Sequence, residues 1–203
     1  MRQIPLPLGA GASPLRIVVG NANAEVLDAF ARTGDWPFRS GVLFGPPRSG
    51  KSLLARWFTD SGLGEAIDNA ELIDEATLFH RWNRAQESGD PLLIVANLEQ
   101  QGWAVRLPDL ASRLGGSQHL AIGVPDDAMM ADLLAAHAEQ RGFTLGMDAA
   151  SYLVPRAERS HVGIERLVSA IDRLSLERKQ PPTLAIWRDA LEELAGASQP
   201  RLL

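Results

Sequence analysis

Two regimes of hydrophobic and polar spacing divide the chain. Up to about Gly123, short apolar runs alternate with segments whose apolar positions recur at helical spacing. The runs Arg16–Val19, Ser40–Phe44, Pro91–Asn97 and His119–Gly123, with a shorter one at Glu65–Asp68, predict strands. Between them, Ala24–Ala31 carries Leu27 and Phe30 on one face, and Lys51–Thr59 carries Leu53, Leu54, Trp57 and Phe58. A helix opened by Asp74-Glu75 runs through Arg84 with Leu78, Phe79 and Trp82 inward, and Leu107–Leu114 predicts a shorter one. Trp36-Pro37 and Asp60-Ser61-Gly62 act as breaks. From Pro125 onward the pattern is helical only. Pro125 marks a helix start, Asp126 and Asp127 suit its positive end, and Met129, Leu133, Leu134 and His137 continue one face to Gly142. Further helices are predicted near Met147–Arg159, Val162–Lys179 and Thr183–Ala195. Strands alternating with helices, then helices alone, predict an α/β fold: a parallel sheet flanked by helices, followed by a small all-helical subdomain. The division expected is an extended, mobile arm at 1–14, stiffened by Pro5, Pro7 and Pro14, an α/β domain at 15–124 and a helical domain at 125–203.

Composition narrows the function classes. A chain of 203 residues, 45% of them hydrophobic, suits one large domain or a core with a satellite. Net charge −5 and a pI near 5.4 give no sign of the basic face that duplex DNA binding needs, although net charge hides local patches. The absence of cysteine excludes disulfides and thiolate metal sites. No apolar run approaches a membrane span, and the apolar start Ile4-Pro5-Leu6-Pro7-Leu8 is too short and proline-rich for a signal peptide, so a cytoplasmic protein without a membrane partner is expected. The four histidines lack metal-ligand spacing, and Met129-Met130 read as core.

The chemistry is concentrated in Gly45-Pro46-Pro47-Arg48-Ser49-Gly50-Lys51-Ser52. This is G-x-x-x-x-G-K-S, placed between an apolar strand and an amphipathic helix. Glycines let backbone N–H groups turn toward phosphate oxygens, Lys51 reaches the β and γ phosphates, Ser52 takes the magnesium ion, and the helix adds its positive end. The four fixed positions arise by accident in roughly one chain of this length per hundred. Such a site needs an acid at the end of a neighbouring strand to order Mg2+. Asp68 is the candidate; Asp74 is the alternative, bringing Glu75 as a water-activating base, although Asp74-Glu75 also read as a helix first turn. Asn97 ends a strand on the edge where ligands lie, so it reads either as a contact to the γ-phosphate or a water, or as a loop asparagine closing a turn.

Several stretches, in order, resemble the DnaA-type AAA+ family, most closely its short Hda-like branch. Ile17–Asn23 resembles the segment that holds the adenine, which implicates Val19. Gly45, Pro46, Arg48, Ser49, Gly50, Lys51, Ser52 and Leu53 then take the phosphates of ADP or ATP. Ile67-Asp68-Asn69 resembles the Walker B strand end, making Asp68 and Ser52 the magnesium residues. Leu78–Arg84 resembles the following helix, and Leu92–Asn97 the sensor I strand. Leu107–Leu114 resembles the box that carries the arginine finger, which falls on Arg113. Gln3-Ile4-Pro5-Leu6-Pro7-Leu8 resembles the peptide by which Hda-like proteins dock on the DNA polymerase sliding clamp (β subunit), with Gln3 as a hydrogen-bonding residue and Ile4, Leu6 and Leu8 filling apolar pockets.

The resemblance implies a regulator of replication initiation that binds adenine nucleotide and the clamp. It would present Arg113 in trans to ATP held by the DnaA initiator, so that the initiator hydrolyses it. Self-association is common in such families. Three departures bear on hydrolysis more than on binding. Only fifteen residues separate Ser52 from Asp68, too few for the extra strand and helix the family places there. Asn69 stands where an acid could serve as base. His161-Val162-Gly163-Ile164 offers no sensor II arginine, leaving Arg159 as a displaced substitute. Retained ADP or weakly bound ATP with little turnover is therefore expected. The end near Leu203 leaves no room for a DNA-reading helix-turn-helix, so sequence-specific DNA binding is not expected. The competing readings are an autonomous AAA+ ATPase or helicase loader, and a degenerate scaffold without nucleotide.

Overall fold

Ser40-Gly41-Val42-Leu43-Phe44 is apolar on both faces, as a strand covered by helices on each side must be, and all five residues are buried. A computed structural model describes residues 2–5, 16–97 and 103–197 of the chain, with side chains over 16–97 and 103–196. The elements are β1 (Arg2–Pro5), β2 (Arg16–Val19), α1 (Ala24–Phe30), β3 (Ser40–Phe44), α2 (Lys51–Asp60), β4 (Glu65–Ile67), α3 (Glu75–Ser88), β5 (Leu92–Val95), α4 (Pro108–Gly116) and β6 (Gln118–Ala121). The helices α5 (Asp127–Gln140), α6 (Met147–Leu153), α7 (His161–Arg178) and α8 (Leu184–Ala197) follow. They form two compact units, divided after Gly123.

In the first unit β4, β5, β3 and β6 lie side by side in that order. All pairs are parallel, with Val42 opposite Ile94 on one side and His119 on the other. The period-two pleat sends Val42, Phe44, Leu92 and Ile94 to a face covered by Leu78 and Trp82 of α3 and Leu110 of α4. On the other face Phe30, Trp36 and Phe58 form an aromatic cluster with centroids 5.0–6.1 Å apart. Gly41 is required there, because a Cβ would lie 2.8 Å from the Trp36 ring. Among the described residues the sheet has four strands, and the stretch between Ser52 and Asp68 holds only the rest of α2 and β4. The extra strand and helix that the family pattern places there are absent from it.

The second unit is helical, with a core that includes Met130, Leu134, Leu153, Ile164, Ile171 and Trp187. Helices α5 and α7 begin at side-chain caps: Asp126 accepts from Met129 N at 2.8 Å, and Ser160 from Gly163 N at 2.9 Å.

The boundaries differ from the periodicity at a few points. On α1 the buried residues are Val26 and Phe30, with Leu27 half-covered. Helix α3 continues past Arg84 to Ser88 and stops at Gly89 in the left-handed conformation (φ 75°). Within the segment read as a free arm, Arg2–Pro5 is a strand paired with β2.

Candidate functional site

The loop leaving β3 turns sharply because two residues take positive φ: Arg48 at 62° and Gly50 at 90°. Gly45 is needed at the exit, since a Cβ there would lie 2.9 Å from Ile122 Cβ beyond β6. Gly50 is the N-cap of α2 and offers no side-chain acceptor. The first turn of α2, from Lys51, therefore has no side-chain cap for its N–H groups, as in α1, α4 and α6 and in contrast with α3, α5 and α7. Such a terminus suits an anion.

Lys51 is only 4% exposed. Its Nζ donates to the carbonyls of Gly45 (2.9 Å) and Pro46 (3.0 Å). Burial lowers the pKa of this amine from the ordinary lysine range, opposed by the negative charges of Asp68 and Glu71. Ser49 Oγ is buried without a hydrogen-bond partner. A desolvated cation resting on carbonyls, an unsatisfied hydroxyl and uncapped N–H groups make a donor set that fits phosphate oxygens. Ser52 is exposed at the start of α2, and Leu53 is half-buried.

At the ends of β4 and β5 the acids come into view. Asp68 follows β4, and its Oδ1 accepts from the N–H of Asn69 at 2.9 Å. Asn69 is left-handed (φ 52°) and opens a short turn, Ala70–Leu72, which carries Glu71. Asn97, after β5, is held twice: its N–H donates to Glu71 Oε2 at 3.1 Å, and its Nδ2 donates to Asn69 Oδ1 at 2.7 Å. The structure thus joins Asp68, Asn97 and Lys51 electrostatically and through short bonds; Asn69, which the sequence places at the strand end after Asp68, takes part as a hydrogen-bond acceptor, and Glu71 is the addition that sequence reasoning had not placed there. No signal in the residue order marks Glu71: it comes into place through the left-handed turn that Asn69 opens.

Asp74 is the N-cap of α3, accepting from Thr77 N at 3.0 Å. The Glu75 carboxylate accepts from the backbone N–H groups of Arg106 (2.9 and 3.1 Å) and Leu107 (2.7 Å), fixing the approach to α4. Asp74→Ala is therefore expected to lower stability by about 1 kcal/mol, as cap removal does, and to leave nucleotide affinity unchanged. Denaturant unfolding with and without Mg-ADP checks both.

Val19 is half-buried at the end of β2. Asn23 organises the turn that follows it, accepting from Gly20 N (3.0 Å) and donating to Val18 O (2.8 Å). The same turn meets the end of β6 through Gly123 N to Ala22 O, 2.8 Å. Arg113 sits on α4, half-buried, with its guanidinium carbon 4.3 Å from the Phe79 ring centroid and 4.4 Å from that of Trp82. Its Nη1 donates to Asn83 Oδ1. Arg159, in the helical unit, pairs with Asp127 at 2.5 Å. Of the N-terminal peptide, Gln3 and Ile4 lie in β1, while Leu6 and Leu8 lie outside the described residues.

Residues 127–191 match the lid domain of the Hda family. The chain is similar to an uncharacterised protein of Haemophilus influenzae, 30% identical, with 94% of this chain and 98% of the relative covered. Its fold resembles that of domain III of the replication initiation protein DnaA from Thermotoga maritima, with TM-score 0.69, 14% identity, and 87% of this chain and 94% of that one covered. It also resembles AMPPCP-bound DnaA from Aquifex aeolicus, with TM-score 0.60, 14% identity, and 80% of this chain and 66% of that one covered. At that identity the likeness to the solved structures is one of fold.

Proposed function

Because the chain belongs to the Hda/DnaA-like AAA+ proteins, we propose that it is an adenine-nucleotide-binding regulator of DNA replication initiation, acting in the cytoplasm on a DnaA initiator. The observation that carries this reading is the coexistence, in one chain, of a phosphate loop with a buried, anion-seeking Lys51 and a lid of the Hda type.

In this reading ADP or ATP binds at residues 45–53. Lys51 Nζ gives up its two carbonyl acceptors for phosphate oxygens, and Ser49 Oγ finds the acceptor it lacks in the ligand-free chain. Ser52 and Asp68 hold Mg2+, which neutralises phosphate charge. Asn97, steadied by Glu71 and Asn69, faces the terminal phosphate. No acid follows Asp68 directly, and the Glu75 carboxylate is bound to backbone N–H groups, so intrinsic turnover is weak. Val19 contacts the base.

The chain's outward action uses two further features. Gln3, Ile4, Leu6 and Leu8 dock on the sliding clamp, and Arg113 stabilises charge on the phosphates of a neighbouring DnaA, whose ATP is then hydrolysed. The permanent charge and planar fork of arginine suit that task. The test is to mix the chain with clamp and ATP-loaded DnaA and follow phosphate release. Stimulation by the intact chain, lost in Gln3→Ala/Leu6→Ala together with clamp binding, is the expected outcome. Equal clamp affinity for both proteins removes the docking claim, and the absence of stimulation removes the regulatory one.

A further inference from the structure

Arg113 is fixed from both ends by one helix. Its guanidinium lies over the rings of Phe79 and Trp82, and Nη1 bonds to Asn83, all on α3. Its carbonyl accepts from Ser117 Oγ at 2.9 Å. Ser117 Oγ is 2.7 Å from Ser40 Oγ, which in turn accepts from Trp82 Nε1 at 3.3 Å. Proton counting orients this chain. The Ser117 hydroxyl is used on Arg113, so Ser40 donates to Ser117 at 2.7 Å in preference to the Pro37 carbonyl at 3.4 Å, and the indole N–H supplies Ser40. Trp82 therefore holds the side chain by its ring and the backbone through two buried serines.

A long surface arginine samples many rotamers and must lose them when it engages a phosphate. Stacking on aromatic faces removes those rotamers during folding. It occupies the faces of the guanidinium and leaves most of its in-plane N–H edge, the part that recognises phosphate in bidentate fashion. Arg113 is only half-buried, so its edge is not sealed into the core.

We propose that Phe79, Trp82 and Asn83 are positioning residues that hold Arg113 preformed for a phosphate on a neighbouring molecule. The inference rests on the trans-acting role of Arg113 proposed above. It makes one face of α3 part of the trans-acting site.

The test measures ATP hydrolysis by ATP-loaded DnaA, with the clamp present, as the concentration of this chain is varied. Asn83→Ala and Phe79→Leu are each expected to lower the maximal stimulated rate about threefold to tenfold. The half-saturating concentration should stay near that of the unsubstituted chain, the melting temperature in Mg-ADP should fall by no more than it does in Arg113→Ala, and Phe79→Tyr, which keeps a ring, should restore the rate. Trp82 is left intact because it belongs to the sheet core. Two results overturn the inference: unchanged maximal rates in Asn83→Ala and Phe79→Leu while Arg113→Ala removes stimulation, or a change confined to the half-saturating concentration. If Arg113→Ala itself stimulates normally, the trans-acting role fails and takes the positioning role with it, an outcome read from that variant alone.

Discussion

On the trans-acting role proposed for it, Arg113→Ala is expected to leave nucleotide binding by this chain intact and to cut stimulated ATP hydrolysis by DnaA about 10³-fold or more, the range seen when an arginine finger is removed. The reason is electrostatic. The transferred phosphoryl group spreads negative charge over its oxygens, and a fixed cation in a site shielded from water stabilises that charge far more than it stabilises the ground state. Arg113→Lys keeps the charge but loses the planar fork and the stacking, so it should recover little of the rate. Both variants should also lose modest stability, about 1 kcal/mol, because the contacts with Phe79 and Trp82 go with the guanidinium. Single-turnover hydrolysis by preloaded DnaA measures the first effect, and thermal unfolding of the variant alone measures the second. Full stimulation by Arg113→Ala with lowered stability would make the residue a strut between α3 and α4.

The second large effect falls on Lys51. Lys51→Ala should weaken Mg-ADP and Mg-ATP binding by about 100-fold or more, because the cation makes charge-assisted hydrogen bonds that each contribute about 1.5–3 kcal/mol. In thermal unfolding, ligand at 100 times its Kd stabilises the native chain by about 2.7 kcal/mol, and the variant should show almost none of this at the same concentration. The pH dependence has a definite sign. Burial holds the folded-state pKa of Lys51 below its unfolded value. Over the window from that lowered pKa up to the ordinary lysine pKa, the unfolded chain binds more protons than the folded one. Stability of the ligand-free chain therefore rises with pH across that window. Nucleotide affinity moves the other way, since phosphate binds the charged amine. In Lys51→Ala both slopes should vanish.

Much of this was legible in the sequence because it is local. Ser40–Phe44 had to be a buried strand, and Lys51 had to open a helix, since Gly50 and the apolar spacing of Leu54 and Phe58 admit little else. The sharing of one sheet edge by Asp68 and Asn97 followed from the general rule for parallel sheets. What escaped was non-local or depended on one unusual backbone angle. Glu71 reaches Asn97 only because Asn69 adopts positive φ and starts a tight turn, and nothing in the residue order announces that. Phe79 and Trp82 read as an inward-facing pair, but the arginine they receive lies about thirty residues downstream on α4. The pairing of Arg2–Pro5 with β2 is likewise a long-range event in a proline-rich segment that reads as a free arm.

All of these roles presuppose that the loop between β3 and α2 closes on a diphosphate. Titration calorimetry of the intact chain with Mg-ADP and Mg-ATP addresses this without any partner. Saturable heat at one site per chain, with a Kd of about a micromolar or tighter (about −8 kcal/mol), is the predicted result. No heat and no shift in melting temperature at millimolar nucleotide would contradict it, and would leave Lys51 buried beneath a loop that holds nothing.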